Sequence, residues 1–314
     1  MKTVYVDPQT RVTRQYVATI GFFDGVHLGH QYLIRHVVQQ AQAEGLKSMV
    51  ITFDTHPRQV LNTDYKPQLL STLDMKLLRL ARTEVDVVAV LHFTPQLAQL
   101  SAQQFMRQVL SSQLNVRHLV IGYDNRFGHN RADTFDDYVR YGKALGMQVT
   151  QNPAFVFKGI HVSSSVIRAF VGEGQIRLAN SCLGYPYTIE GTVVKGFQEG
   201  RKMGFPTANL DMGNSLQLLP CNGVYAVKVR LPGSVTYHRG MMNIGMRPTF
   251  GGTQRTLEVN LFNFSDDLYG KCLLVSFFYR LRGEIKFDNA LQLAEQLHRD
   301  REQIQQQFNS ELEK

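Results

Sequence analysis

Apolar positions in the first half of the chain fall into short, nearly unbroken blocks: YVATIGF (16–22), LKSMVITF (46–53), VDVVAVLHF (85–93) and VRHLVIGYD (116–124). These blocks are strand-length and rich in β-branched residues, and they read as strands buried on both faces. Between them the period lengthens. In HQYLIRHVVQQAQAEG (30–45), Leu33, Ile34, Val37, Val38 and Ala41 recur at helical spacing, and the pattern stops at Gly45. That predicts an amphipathic helix. TLDMKLLRLART (72–83), SAQQFMRQVLSSQ (101–113) and SSVIRAFVGEGQIRLANSCLG (164–184) also read as helical. Doubly buried strands separated by helices imply a parallel sheet covered above and below.

After about Leu183 the texture changes. YTIEGTVVKG (187–196), NGVYAVKVRL (222–231), SVTYHRGMMNIG (234–245), TLEVNLFNF (256–264) and CLLVSFFYRLRGEIKF (272–287) are strands punctuated by Gly, Pro and Asn. Evenly spaced strands with turn signals predict an antiparallel barrel or sandwich. The stretch 288–314 carries Leu291, Leu293, Leu297 and Ile304 on a polar background and reads as a long surface helix. The boundary is expected near LGYPY (183–187), giving domains 1–183 and 184–314.

Charge narrows the partners. The chain has 34 Lys and Arg against 26 Asp and Glu, a net charge of +8. No run of five like charges occurs, and no basic stripe is interleaved with aromatics, so a mildly basic enzyme is favoured over a nucleic-acid binder. Cys182, Cys221 and Cys272 are odd in number and widely spaced, fitting neither a zinc knuckle nor a disulfide framework. A reducing compartment follows. The first residues carry no apolar signal core, and the longest apolar runs are too short to cross a bilayer. A cytoplasmic protein is expected, with the sequon NFS (263–265) unmodified.

Two dense stretches carry the chemistry. GFFDGVHLGH (21–30) follows a buried strand and opens a helix. A glycine-bearing turn at a helix N-terminus presents free N–H groups and the positive dipole end, a place for phosphate. His27 and His30, three apart, project to one side, where imidazoles could steady charge growing on a transferring phosphate. Asp24 would repel the anion and suits orienting the loop or the nucleotide. A metal would need a third ligand, and a pair of surface histidines is the other alternative. Neither a P-loop nor a G-x-G-x-x-G turn occurs. Downstream, HVSSSVIR (161–168) clusters hydroxyls with Arg168, which could grip phosphate oxygens.

The second stretch is GTVVKGFQEGRKMGFPTANL (191–210). Gly196, Gly200 and Gly204 permit close backbone approach to a ligand, while Arg201 and Lys202 supply positive charge. Thr207 and Asn209 alternate to one face of a strand and offer hard neutral oxygens suited to Mg²⁺. Glu258 stands alone in an apolar strand. It is either a solvent-facing residue or a general base.

H-x-G-H at the first strand–helix turn, followed by S-S/T-x-x-R, resembles the nucleotidylyltransferase superfamily. GFFDGVHLGH with FDTHP (53–57), GYDNRFG (122–128) and SSSVIR is similar to the FMN adenylyltransferase half of bacterial FAD synthetases. GRKMGFPTAN, GVYAV, NIGMRPTF, LEVNLF and DLYGK resemble flavokinases. The resemblance implies a Rossmann-like α/β nucleotidylyltransferase domain, then an antiparallel β-barrel flavokinase domain with a C-terminal helix. It implies ATP, riboflavin and FMN as substrates, with Mg²⁺. His27 and His30 would bind the ATP phosphates, with Ser163, Ser164 and Arg168 opposite and Gly21, Phe22 and Asp24 in the loop. Asp124 matches a position on the flavin side. Thr207 and Asn209 would hold Mg-nucleotide, Glu258 would activate the riboflavin 5′-hydroxyl, and Asn243 and Arg247 of NIGMRPTF would join the binding set. Thr55, Asn125 and Asn260 stand where the family often has proline, phenylalanine and histidine. Two other readings stay open: a nucleotidylyltransferase for another acceptor with a flavin-binding barrel, and a basic nucleic-acid-binding protein. The expected enzyme is a monomer or weak oligomer.

Overall fold

In the computed structural model, which describes residues 1–62, 64–196, 200, 204–249 and 252–310, the chain forms two compact units, Met1–Ser164 and Ser165–Lys314. The apolar blocks of the first unit become β2 (Tyr16–Ile20), β3 (Lys47–Phe53), β4 (Val87–Leu91) and β5 (Val116–Ile121). With β1 (Lys2–Val6) and β6 (Gln148–Gln151) they make one sheet in the order β1-β4-β3-β2-β5-β6, all pairs parallel. Alternate residues divide between two cores, as a two-residue period requires. Ala18, Ile20, Met49, Ile51, Ala89 and Leu119 face Phe105, Met106, Leu110 and Tyr138. Val17, Val50, Val88 and Val120 face Ile34, Val37 and Val38 of helix α1 (Leu28–Ala43).

β2 has neighbours on opposite sides, β3 and β5, so its carboxyl end lies at the point where the strand order reverses. Ligands of open α/β sheets bind at such a point. A hairpin, β7 (Val156–Phe157) and β8 (Ile160–His161), follows. Its two-residue turn puts Lys158 at φ 49° and Gly159 at φ 78°, the left-handed pair that matches strand twist in a tight hairpin.

The second unit opens within helix Ser164–Gly172 and continues with helix Ile176–Leu183, two helices that the sequence pattern joined into one. Gly174 separates them at φ +75°, where an added Cβ would lie 2.7 Å from Arg280 Cδ. The barrel is closed, with strands β9 (Thr188–Val194), β10 (Ala208–Asp211), β11 (Gly223–Arg230), β12 (Tyr237–Thr249), β13 (Gly252–Leu261) and β14 (Cys272–Arg282) in the order β10-β13-β12-β11-β14-β9. Helix Ala290–Ser310 then packs Ile304 and Phe308 on Val224, Ala226, Met241 and Tyr279. Leu291, part of the apolar pattern, is 70% exposed. Phe205 joins the same cluster and meets His298 edge-on, ring centroids 4.7 Å apart.

The helix is also fastened by charge. Arg282 holds Asp300 through Nε (3.0 and 3.1 Å) and Nη2 (2.7 Å), and Gln296 adds a bond at 2.9 Å. Asp300 is 1% exposed. Removing one partner of such a pair strands the other charge. Asp300→Ala should therefore lower unfolding free energy by about 3–5 kcal/mol, read as a fall in the urea midpoint. A midpoint unchanged within error would show that the helix is held by its apolar face alone.

Candidate functional site

The loop after β2 leaves the sheet with unusual backbone angles. Phe23 (φ 55°) and Val26 (φ 40°) occupy the left-handed region, as does Gly25 (φ 75°). A β-branched residue there stores strain of about 1–3 kcal/mol, and such strain persists only where surrounding contacts over-determine it. Here they do. Asp24 is 3% exposed, and its carboxylate accepts from Leu70 N–H (2.9 and 3.0 Å) and Ser71 N–H (3.2 Å). Ser71 Oγ accepts from Gly25 N–H (3.2 Å), Gln31 Nε2 donates to Val26 C=O (2.9 Å), and Ser164 Oγ donates to Asp24 C=O (3.1 Å). Asp24 orients the loop.

The loop delivers His27 as the N-cap of α1, its Nδ1 accepting from His30 N–H at 3.3 Å. The two imidazoles stack, centroids 3.6 Å apart and 18° between planes. Two potential donors thus stand together at the start of a sixteen-residue helix, where the positive end of the helix dipole favours an anion. The glycine of H-x-G-H has a steric reason. A Cβ on Gly29 would sit 3.2 Å from both Val162 C=O and His27 Nδ1, so any larger residue would press residue 162 or His27 away from the helix start. Sequence-distant Ser163 and Ser164 arrive there by that route. Counting back from Arg168, the serines of S-S-x-x-R are Ser164 and Ser165, so Ser165 joins the candidates. Arg168 lies one turn beyond Ser164 on helix Ser164–Gly172 and belongs to the second unit. Gly21 N–H continues the sheet by donating to Ile51 C=O at 3.0 Å.

Two features were invisible to pattern reading. One is Lys76, 3% exposed on helix Leu73–Leu80. Its Nζ donates to Phe22 C=O (3.0 Å), Phe53 C=O (2.8 Å) and Thr52 Oγ1 (3.1 Å), and lies 4.2 Å from the Phe22 ring centroid. Burial pushes its pKa down to about 8, against the pull of Asp24 and Asp54. The other is a cavity of about 430 Å³ lined by Phe22, Phe53, Phe93, Phe105 and Phe127, with Asn125, Arg126, His129 and Arg131 also on its wall. That size and mixture suit a flat aromatic ligand with an anionic end. Asp124 is exposed beside it.

In the barrel, register builds the second site. Asn209 pairs with Glu258 across β10 and β13, and Glu258 pairs with Asn243 across β13 and β12. Residues directly opposite share a face, so Asn209, Glu258 and Asn243 form a row. They lie on the face that carries Val224 and Met241 toward the C-terminal helix. The glycines admit close backbone passage. A Cβ on Gly196 would fall 2.0 Å from Asn209 Nδ2, and one on Gly200 would fall 2.3 Å from Phe205 C=O. Gly204 takes φ +79°. Thr207 lines a cavity of about 450 Å³ with Val193, Pro206, Ala208, Val259 and the loop 264–269. Arg201 and Lys202 lie outside the described residues. So does the side chain of Arg247, whose backbone pairs with Gln254. Among the described residues, no group of three or more His, Cys, Asp or Glu could hold a metal. Neutral oxygens beside a single carboxylate fit a divalent ion that arrives with nucleotide phosphates.

Residues 9–166 match the FAD synthetase family and residues 183–308 the riboflavin kinase family. A bifunctional riboflavin kinase/FMN adenylyltransferase of Haemophilus influenzae is 39% identical over 300 residues, 96% of each chain. One from Bacillus subtilis is 36% identical over 323 residues, 99% of each. A crystal structure described as a macrolide-efflux protein from Streptococcus pneumoniae has a TM-score of 0.87 at 31% identity, covering 96% of this chain and 98% of that one. Among the described residues, no helix is long and apolar enough to cross a membrane. Matched in both halves and nearly end to end, the chain belongs to the bifunctional riboflavin kinase/FMN adenylyltransferase family: it phosphorylates riboflavin with ATP to FMN, and adenylylates FMN with ATP to FAD and pyrophosphate.

Proposed function

We propose that the two reactions use two separate sites, one at the loop after β2 and one on the barrel row, with adenylylation assigned to residues 1–183 and phosphorylation to 184–314. The observation that supports this most is the cross-strand row of Asn209, Glu258 and Asn243. It puts a carboxylate among neutral donors far in sequence from the stacked His27 and His30.

For adenylyl transfer, the start of α1 and the two histidines bind the ATP phosphates, with Ser163 and Ser164 beside them. The flavin ring of FMN enters the aromatic cavity, with Arg126, His129 and Arg131 available to its phosphate. An FMN phosphate oxygen attacks the α-phosphorus in line, and pyrophosphate leaves. The protein's contribution is alignment and donors aimed at growing charge. For phosphorylation, Glu258 accepts the proton of the riboflavin 5′-hydroxyl as that oxygen attacks the γ-phosphorus, and ADP leaves. Gly196 and Gly200 keep the backbone close to the nucleotide, and Thr207 and Asn209 hold its Mg²⁺. When bound, Mg²⁺ supplies charge neutralisation on the phosphates. The enzyme works in the cytoplasm as a monomer or weak oligomer, on small molecules rather than nucleic acid or membrane.

Metal removal tests the ligand assignment. EDTA should stop both half-reactions and Mg²⁺ should restore them. Kinase activity persisting in thoroughly chelated enzyme would rule out the role given to Thr207 and Asn209.

Paired substitutions test the two sites. Glu258→Gln should lower FMN formation by about 10²–10⁴-fold yet still convert supplied FMN to FAD. His30→Ala should lower FAD formation by about 10²–10³-fold while riboflavin still becomes FMN, which accumulates. Chromatography of the products separates these cases. Loss of both reactions from either substitution, in a protein folded by circular dichroism, would refute two sites.

A further inference from the structure

The three oxygens around Lys76 account for every proton its ammonium carries. Phe22 C=O, Phe53 C=O and Thr52 Oγ1 each take one. With the ammonium present, the Thr52 hydroxyl donates to Phe22 C=O at 3.0 Å. A neutral amine has two protons and a lone pair, so it keeps all three neighbours only by turning the Thr52 hydroxyl onto Nζ, and Phe22 C=O then loses one of its two donors. The two carbonyls are the exits from neighbouring strands: Phe53 ends β3, and Phe22 stands two residues past β2. Phe22 also directly precedes the left-handed Phe23. One cation therefore pins the strained loop at its first bend to the adjacent strand.

Stability alone is a poor reason to keep a charge there. Replacing a buried ion with an apolar side chain of similar volume is often neutral or stabilising. The charges facing Lys76 are Asp24 and Asp54. Asp54 is bonded to His92 at 2.7 Å, and His56 meets the Phe22 ring edge-on.

We propose that Lys76 is a positioning residue for adenylyl transfer: by tying Phe22 to the end of β3, its ammonium keeps the stacked His27 and His30 aligned with the ATP phosphates. The proposal rests on the assignment of that loop to adenylylation. Lys76 acts through the loop rather than on the substrate.

Lys76→Met removes the charge and keeps the bulk. Its kcat for FAD formation from FMN should fall about a hundredfold, the scale of an ångström-sized misplacement, with a smaller change in KM for ATP. Riboflavin phosphorylation should stay within about twofold of the parent, since it belongs to the other unit, and Tm should hold or rise. In the parent, FAD formation should decline as pH passes about 8, and Lys76→Met should lack that limb. Unfolding cannot imitate the decline through this group. Its folded pKa lies below the ordinary 10.5, so between those values the unfolded chain binds more protons and stability rises with pH. Full-rate FAD formation by Lys76→Met, a loss that tracks a lowered Tm, or a parent rate flat from about pH 7 to 9.5 would each overturn the proposal. His30→Ala serves as reference. Full activity in that variant would overturn the assignment of the loop itself.

Discussion

A chain leaving the carboxyl end of a buried parallel strand loses its sheet partners, and every N–H and C=O it carries must be matched elsewhere. The loop after β2 meets much of that constraint through residues 70–76. Leu70 and Ser71 give their N–H groups to Asp24, Ser71 Oγ takes the Gly25 N–H, and Lys76 takes the Phe22 carbonyl. Once these bonds are made, Phe23 and Val26 have no relaxed alternative, and the left-handed turns that bring His27 to the helix start are fixed. The placement of His27 at the helix start follows from backbone satisfaction. Asp24, a buried carboxylate, is tolerated because it spends its lone pairs on the amides of Leu70 and Ser71.

In the barrel the governing constraint is register. A one-residue slip between β10 and β13 would move Glu258 to the opposite face from Asn209. The slip is opposed by the buried side chains on either strand, Leu210 on β10 and Leu257 and Val259 on β13, which would turn outward on whichever strand moved. Gly196 and Gly200 then let the segment before β10 run so close that Asn209 Nδ2 fills the place of an absent Cβ.

This explains what could be read from sequence and what could not. Strands β2 to β5 were legible because both their faces are apolar. β1 and β6 were not, because these edge strands bury no residue fully and carry no apolar block, and helix Phe135–Ala144 hides its stripe behind Asp136, Asp137 and Lys143. The closed barrel, left open against a sandwich, is settled by the β9–β14 and β9–β10 pairings, long-range contacts that no local period encodes. His27, His30, Thr207 and Asn209 are candidates that spacing alone can nominate. Lys76 could not, since a lysine within TLDMKLLRLART reads as the solvent side of a helix. The aromatic cavity collects residues from five separate segments, each of which looks like ordinary core on its own.

The departures from the family's usual residues fit the same constraint. Asn125 stands where phenylalanine is common, and its Nδ2 donates to Ile20 C=O, the last carbonyl of β2 before the GFFDG turn. Asn260 stands where histidine is common. It is 4% exposed, and its Nδ2 donates to Pro206 C=O at 2.7 Å, directly before Thr207. Each asparagine thus caps the carbonyl at the threshold of a site segment. At position 260 one donor replaces another, and the bond can be preserved. At position 125 a phenylalanine offers no donor, so this chain has exchanged ring packing for a hydrogen bond on the wall of the aromatic cavity. The exchange adds a polar atom where a flavin edge would lie while anchoring the strand end that the strained loop springs from.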